Sequence, residues 1–191
     1  MPKQVDHEER RRRIADAVCA LIDEQGLEAV SLRDVAARAE VSMGAVQRCF
    51  RSKDEMLRFA LAHVGHQVTA RARTRLLAAP AQSPASTVGH LAHEIALLQA
   101  HQRAQARVWL AFLAAAAVNP ALADDLRGSY TDLETLLTRL IADAGDLPDP
   151  AAEARTLLAL ADGLTAHVLI GHRAPEEAER LLHAHLARLW Q

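Results

Sequence analysis

Aromatic side chains are nearly missing from this chain: two Trp, one Tyr and three Phe make up 3% of 191 residues. So small a supply argues against a sandwich or barrel, whose strands draw on aromatic and β-branched residues. No stretch alternates Val, Ile, Thr and aromatics between turn signals, so strands are not expected. Cysteine is as scarce, and Cys19 and Cys49 supply neither a disulfide framework nor a paired-thiol zinc site. The longest apolar run, around 108–118, falls short of the roughly 20 residues that span a bilayer. No basic, apolar leader opens the chain, so a cytoplasmic protein without membrane contact is the expectation. Excess charge of one sign is absent too, with 22 Lys and Arg against 24 Asp and Glu.

What the chain has is Ala and Leu, within a composition that is 50% hydrophobic, and that mixture favours helices. An all-α fold of about nine helices is expected from the start and stop signals. The near-neutral sum hides local clusters. Arg10 to Arg13 form an unbroken run, and Arg48, Arg51, Lys53 and Arg58 gather a little further on. Such clusters make a phosphate footprint, although a solvated helix face has the same signature.

The punctuation of residues 14–57 is dense. Ile14, Ala17, Val18, Leu21 and Ile22 recur at helical spacing, and Gly26 ends that helix. Ser31 with Asp34 three residues on, and Ser52 with Glu55, read as capping boxes, while Ser42 caps a short helix reaching about Cys49. The two short helices are separated by too few residues to lie in parallel, so a steeply crossed helix-turn-helix is predicted. Val35, Ala36, Val41, Val46 and Phe50 then form its core, leaving Met43, Ala45, Gln47 and Arg48 on the outer side of the second helix. Gln pairs bidentately with adenine and Arg with guanine, so this face suits the reading of base edges in the major groove.

The segment SLRDVAARAEVSMGAVQRCFRSKDEML resembles the DNA-binding signature of the TetR family of bacterial transcriptional regulators, with the likeness running from about Arg11 to Leu61. The resemblance implies a three-helix DNA-binding domain over 1–56, followed by a helical ligand-binding and dimerisation domain over 57–191. It implies that Ser31 and Arg33 contact DNA from the first helix, that Ser42, Met43, Ala45, Gln47 and Arg48 face the groove, and that Lys53 anchors a phosphate. Two positions depart from the family pattern. Glu40 stands where the family usually has Gly, so the turn forms without glycine's easy access to positive φ. Gln47 stands where the family often has Tyr, so the operator cannot be carried over by analogy.

Beyond this segment a long helix is expected from Ser52 to about Leu77, ended by the proline loop AAPAQSP. Asn119-Pro120 and Asp149-Pro150 read as N-caps followed by proline at the first helical position, and Pro175 opens the last helix with Glu176 and Glu177 in its first turn. Leu157, Leu160, Leu164 and Val168 form one stripe, and Leu182, Leu186 and Leu189 another. These stripes fit packing within their own domain, whereas the resemblance implies that they meet a two-fold mate in a homodimer. A dimer sets two recognition helices about 34 Å apart and calls for a palindromic double-stranded DNA operator.

Candidate effector contacts are Val64, Trp109, Phe112, Leu113, Tyr130, Leu133 and His167, and the few aromatics suit a small, largely apolar effector. A ligand-responsive repressor is the resulting expectation. The ten histidines raise a second reading, a histidine-based metal-binding protein or hydrolase, because His90, His93 and His101 recur on roughly one face. Their spacing matches neither H-E-x-x-H nor H-x-x-E-H. No phosphate-binding glycine loop or nucleophile elbow appears, so neither an enzyme nor a cofactor is expected. A DNA-independent helical adaptor, the third reading, leaves the arginine run and Gln47 without a role.

Overall fold

The computed structural model describes residues 2–78 and 83–190. The proline loop expected around 79–82 lies outside them. Among the described residues there are nine α-helices and no strand. The first four are α1 (Pro2–Gln25), α2 (Leu32–Arg38), α3 (Met43–Cys49) and α4 (Lys53–Ala78). They are followed by α5 (Pro84–Ala96), a 3-10 turn (Ala100–Gln102), α6 (Arg103–Ala116), α7 (Pro120–Ala144), α8 (Pro150–Leu169) and α9 (Pro175–Leu189). No helix among the described residues is long and apolar enough to cross a membrane.

The helix starts follow their local chemistry. Ser31, Ser42, Ser83 and Asp149 cap α2, α3, α5 and α8 by accepting from backbone N–H groups three residues on, bonds each worth about 1 kcal/mol. The Asn119 Oδ1 accepts from Ala121 and Leu122 at 3.1 and 3.2 Å, opening α7 at Pro120. Two details differ from the expected capping boxes. The Glu55 carboxylate reaches past Ser52 to accept the Arg51 N–H at 2.8 Å, and Asp34 accepts from the Ser31 hydroxyl rather than from its backbone. Helix α1 also begins before the arginine run and carries all of it.

Two helices end in the same closed hydrogen-bond pattern with different residues at its left-handed position. After α8, Gly171 takes φ +73°, with Gly171 N–H donating to Val168 and His172 N–H to His167. After α2, Glu40 takes φ +53°, with Glu40 N–H donating to Ala37 and Val41 N–H to Ala36. The ladder closes in both cases, but only the second bears the strain of a Cβ in left-handed space.

The chain divides into two compact units. The first holds the chain up to His66 together with Arg107–Leu126, and the second holds Gln67–Ala106 and the chain from Arg127 onward. In the first unit α1 packs on both α2 and α3, and α2 packs on α3. Ile14, Val18, Val35, Val46, Phe50 and Met56 are buried there. In the second, α5 packs on α8 and α9, which also pack on each other. Its core includes Val88, Leu91, Leu137, Ile141, Leu157 and Leu182, side chains that each contribute about 1.5–3 kcal/mol on burial. The buried Glu94 carboxylate accepts from Arg71 Nε at 2.9 Å and from Gln102 at 3.3 Å, while the buried Thr165 hydroxyl donates to the Ala96 carbonyl at 2.6 Å. These bonds supply the partners that polar groups need inside an apolar core.

Candidate nucleic-acid interface

Four residues, Ala39 to Ser42, join α2 to α3, and this short turn fixes the second helix against the first. Val35, Ala36, Val46 and Phe50 are buried as expected, and Val41 is half-buried. Outward from that core stand Arg33, Ser42, Met43, Gln47 and Arg48, all exposed. The Arg48 guanidinium lies back along α3, so that a Cβ built at Gly44 would sit 3.5 Å from its Nη1. This fold-back brings the cation toward the N-terminal half of α3, the part of a recognition helix that reaches base edges. Lys53 begins α4 at the next corner, half-buried.

Ala45 corrects the expected face. Only 8% of it is exposed, because position 45 follows Ser42 by three residues and turns toward Val46 and Cys49 inside the head. Ser31 and Ser42 are also engaged locally, each hydroxyl serving as an N-cap. Around the exposed cations, Arg38 is held by Glu24, which keeps the Glu24 carboxyl below the usual carboxylate range. Cys19, nearby on α1, has its thiol pushed up to about 12 by burial and then by Asp16. It is therefore not a reactive thiolate.

The effector candidates fall in both units. Val64, Trp109, Phe112 and Leu113 belong to the first, where Val64 and Phe112 are buried. Tyr130, Leu133 and His167 belong to the second and are half-buried. The Tyr130 hydroxyl donates to Asp162 of α8; burial, then that bond, pushes its ionisation far above the ordinary phenol range.

The terminal stripes are corrected. Leu157, Leu164, Val168, Leu182, Leu186 and Leu189 are buried in the chain's own second core, and Leu160 packs against it. The exposed side of the same pair carries other residues: Ala159, Gly163 and Ile170 on α8 and at its end, and Leu181 and Ala184 on α9. Ile170 is 77% and Leu181 41% exposed. Small residues on this face gave no signal in the sequence, because Ala and Gly are common in both buried and solvated helix faces.

The histidine cluster also disperses. Helix α5 ends at Ala96, and Leu97 turns the chain with φ +48°, which removes His101 from the face of His90 and His93. The His93 ring instead lies 4.6 Å from that of His183. Among the described residues no three or more His, Cys, Asp or Glu are placed to hold a metal ion.

The crossed α2 and α3 pair, with its exposed glutamine and arginine, defines a helix-turn-helix DNA-binding protein. Residues 14–59 match the model of the bacterial regulatory proteins, tetR family, and residues 84–191 match the BetI-type transcriptional repressor, C-terminal. The chain is 34% identical over 175 residues to the HTH-type transcriptional regulator PksA of Bacillus subtilis, covering 89% of this chain and 83% of that protein. It is 33% identical over 167 residues to the regulator BetI of Paraburkholderia phymatum, covering 86% and 83%. A solved transcriptional regulator from Rhodococcus sp. Rha1 superposes with a TM-score of 0.82 at 31% identity, over 94% of this chain and 95% of the other. The chain belongs to the TetR family of bacterial transcriptional regulators, whose members bind DNA operators and small-molecule effectors, typically as dimers. Nothing in these matches supports the metal-binding or hydrolase reading.

Proposed function

We propose that this chain is a cytoplasmic repressor that holds a palindromic operator as a homodimer and leaves it when a small, largely apolar effector binds. The observation that carries the reading is the outer edge of α3, where Gln47 and Arg48 stand adjacent and exposed with the Arg48 guanidinium over Gly44. In the groove, Gln47 and Arg48 take base edges and Met43 lies against them, while Ser31, Arg33, Ser42 and Lys53 take the backbone. Ala45 stays within the head. Residues 1–56 serve DNA and residues 57–191 serve the effector and the partner subunit. The dimer forms through the exposed side of α8 and α9, with Ile170 and Leu181 as its apolar anchors.

The second unit is our candidate for the effector site, supported by the Tyr130 to Asp162 hydrogen bond that joins α7 to α8 and by the half-buried Leu133 and His167. Helices α4 and α7 each continue from that unit into the first, so a ligand that prefers one arrangement of them changes the affinity for DNA by linkage. Within the first unit, Arg58 ties α4 to Asp125 of α7, and Arg107 of α6 pairs with Asp23 of α1.

The test is selection of bound duplexes from a random pool by purified protein, together with its mass in solution. A palindrome with half-sites about one DNA turn apart and the mass of a dimer are expected. A monomer, or the absence of any enriched motif in effector-free protein, overturns the reading.

A further inference from the structure

The arginine run of α1 is not one uniform patch. Arg12 and Arg13 are exposed, but the Arg11 side chain is only 26% exposed and its guanidinium lies over a pair of touching rings. Its Cζ lies 4.8 Å from the Phe50 ring centroid and 4.3 Å from that of Phe59. The rings themselves are 5.4 Å apart and tilted by 54°. Its Nη2 stands 4.0 Å from Glu55, and its buried Nε has no hydrogen-bond partner. A cation so placed is attracted to both ring faces, and more strongly where water is excluded.

The residues it touches form the corner between the reading helix α3 and the long helix α4. Phe50 is the C-cap of α3, while Glu55 and Phe59 lie in the first two turns of α4. Glu55 also accepts the Arg51 N–H inside that corner, so one carboxylate is shared between the bend and Arg11. The exposed Arg48 lies on one side of the bend and Lys53 on the other. Their separation must match the distance from a base edge to the neighbouring phosphate, so the angle of this bend is part of sequence reading.

We infer that Arg11 is a positioning residue for operator recognition, which sets the angle between α3 and α4 by lying over the paired Phe50 and Phe59 rings and facing Glu55, and does not itself touch phosphate. This rests on the DNA-reading face proposed above. Lysine keeps the charge but not the planar stack, and methionine keeps the apolar stem without charge, so the two substitutions separate the contributions.

The test compares wild-type protein, Arg11→Lys, Arg11→Met and Phe59→Leu for binding to the selected operator and to a scrambled duplex over a range of salt. Failure of the wild type to prefer the operator would remove the reading face itself, independently of Arg11. With that preference in hand, Arg11→Met is expected to lose roughly tenfold in operator affinity with little loss on scrambled DNA. The salt slope should be unchanged and Arg11→Lys should recover part of the loss. If Arg11→Met fails to fold, Phe59→Leu, which removes one ring and keeps the cation, should show the same narrowing of preference. A folded variant with wild-type preference overturns the inference, and so does a loss equal on both duplexes with a salt slope lower by about 1, the mark of a phosphate contact.

Discussion

Arg58 of α4 grips Asp125 of α7 through two parallel bonds, Nε to Oδ2 at 2.5 Å and Nη2 to Oδ1 at 2.8 Å. The pair holds the Asp125 carboxyl below its usual range, chiefly through the guanidinium hydrogen bond. Because Arg58 is exposed, salt should weaken the pair. Asp125→Asn is therefore expected to lower the thermal midpoint at low ionic strength and to differ little from wild type in 1 M salt. Melting both proteins at the two salt concentrations checks this, and a difference that persists at high salt would show a buried contribution instead.

Glu40 closes the turn between α2 and α3 at φ +53°, in the same hydrogen-bond pattern that Gly171 completes at φ +73°. Glu40→Gly relieves the left-handed strain, offset in part by the added freedom of the unfolded chain, so stability should rise by about 0.5–1 kcal/mol in chemical denaturation. It also removes a negative charge beside the reading helix, so DNA binding should tighten. A destabilised Glu40→Gly would mean that the Glu40 side chain contributes more than its backbone costs.

His185 lies inside the second unit, 8% exposed, with its Nε2 unpartnered. Burial holds its pKa below the ordinary 6.5, against an opposing pull from Glu153 and with a smaller push from Arg188. The unfolded chain then binds the proton first, so stability is full above 6.5 and falls as the pH drops below it. His185→Leu removes both the titration and the unpartnered nitrogen, whose burial costs about 1–3 kcal/mol. Denaturation at pH 7.5 and 5.5 should show the variant gaining more on wild type at the lower pH, and an equal gain at both would dismiss the titration.

The dimer face proposed on α8 and α9 allows folding and assembly to be tested separately. Leu182 is fully buried, and Leu182→Ala should cost about 2–5 kcal/mol. Ile170→Glu, on the exposed side, should leave the fold intact while shifting the mass in solution from dimer to monomer and weakening operator binding. An Ile170→Glu protein that remains dimeric would move the interface elsewhere.

The helix-turn-helix was legible because its boundaries are written in short-range chemistry: Ser31, Ser42 and Ser52 each cap the helix that follows them. A seven-residue helix presents too few turns to distinguish its two faces, and alanine marks neither, so the burial of Ala45 is not legible in the sequence. An apolar stripe does not state which surface covers it, so the terminal leucines fit a partner as well as their own domain in sequence, and the second core covers them. His101 leaves the face of His90 and His93 at Leu97, which turns the chain without glycine, proline or asparagine to announce it. Arg11 was hidden in its run, since its partners Phe50 and Phe59 are far from it in sequence.

Lys53 at the start of α4 should behave as a phosphate contact. Lys53→Ala is expected to weaken binding to every duplex alike and to lower the salt slope by about 1. Titrations of operator and scrambled DNA from low to moderate salt check this, and an unchanged slope would take Lys53 off the backbone.

The central claim is that α3 reads base edges through Arg48. Its direct measurement is the affinity of wild type and Arg48→Ala for the selected operator and for each of its single-base variants. The variant should lose about 1–3 kcal/mol on the operator and become indifferent to the base at one position in each half-site. An equal loss on every duplex, with preference intact at all positions, would place Arg48 on the phosphate backbone and contradict the account.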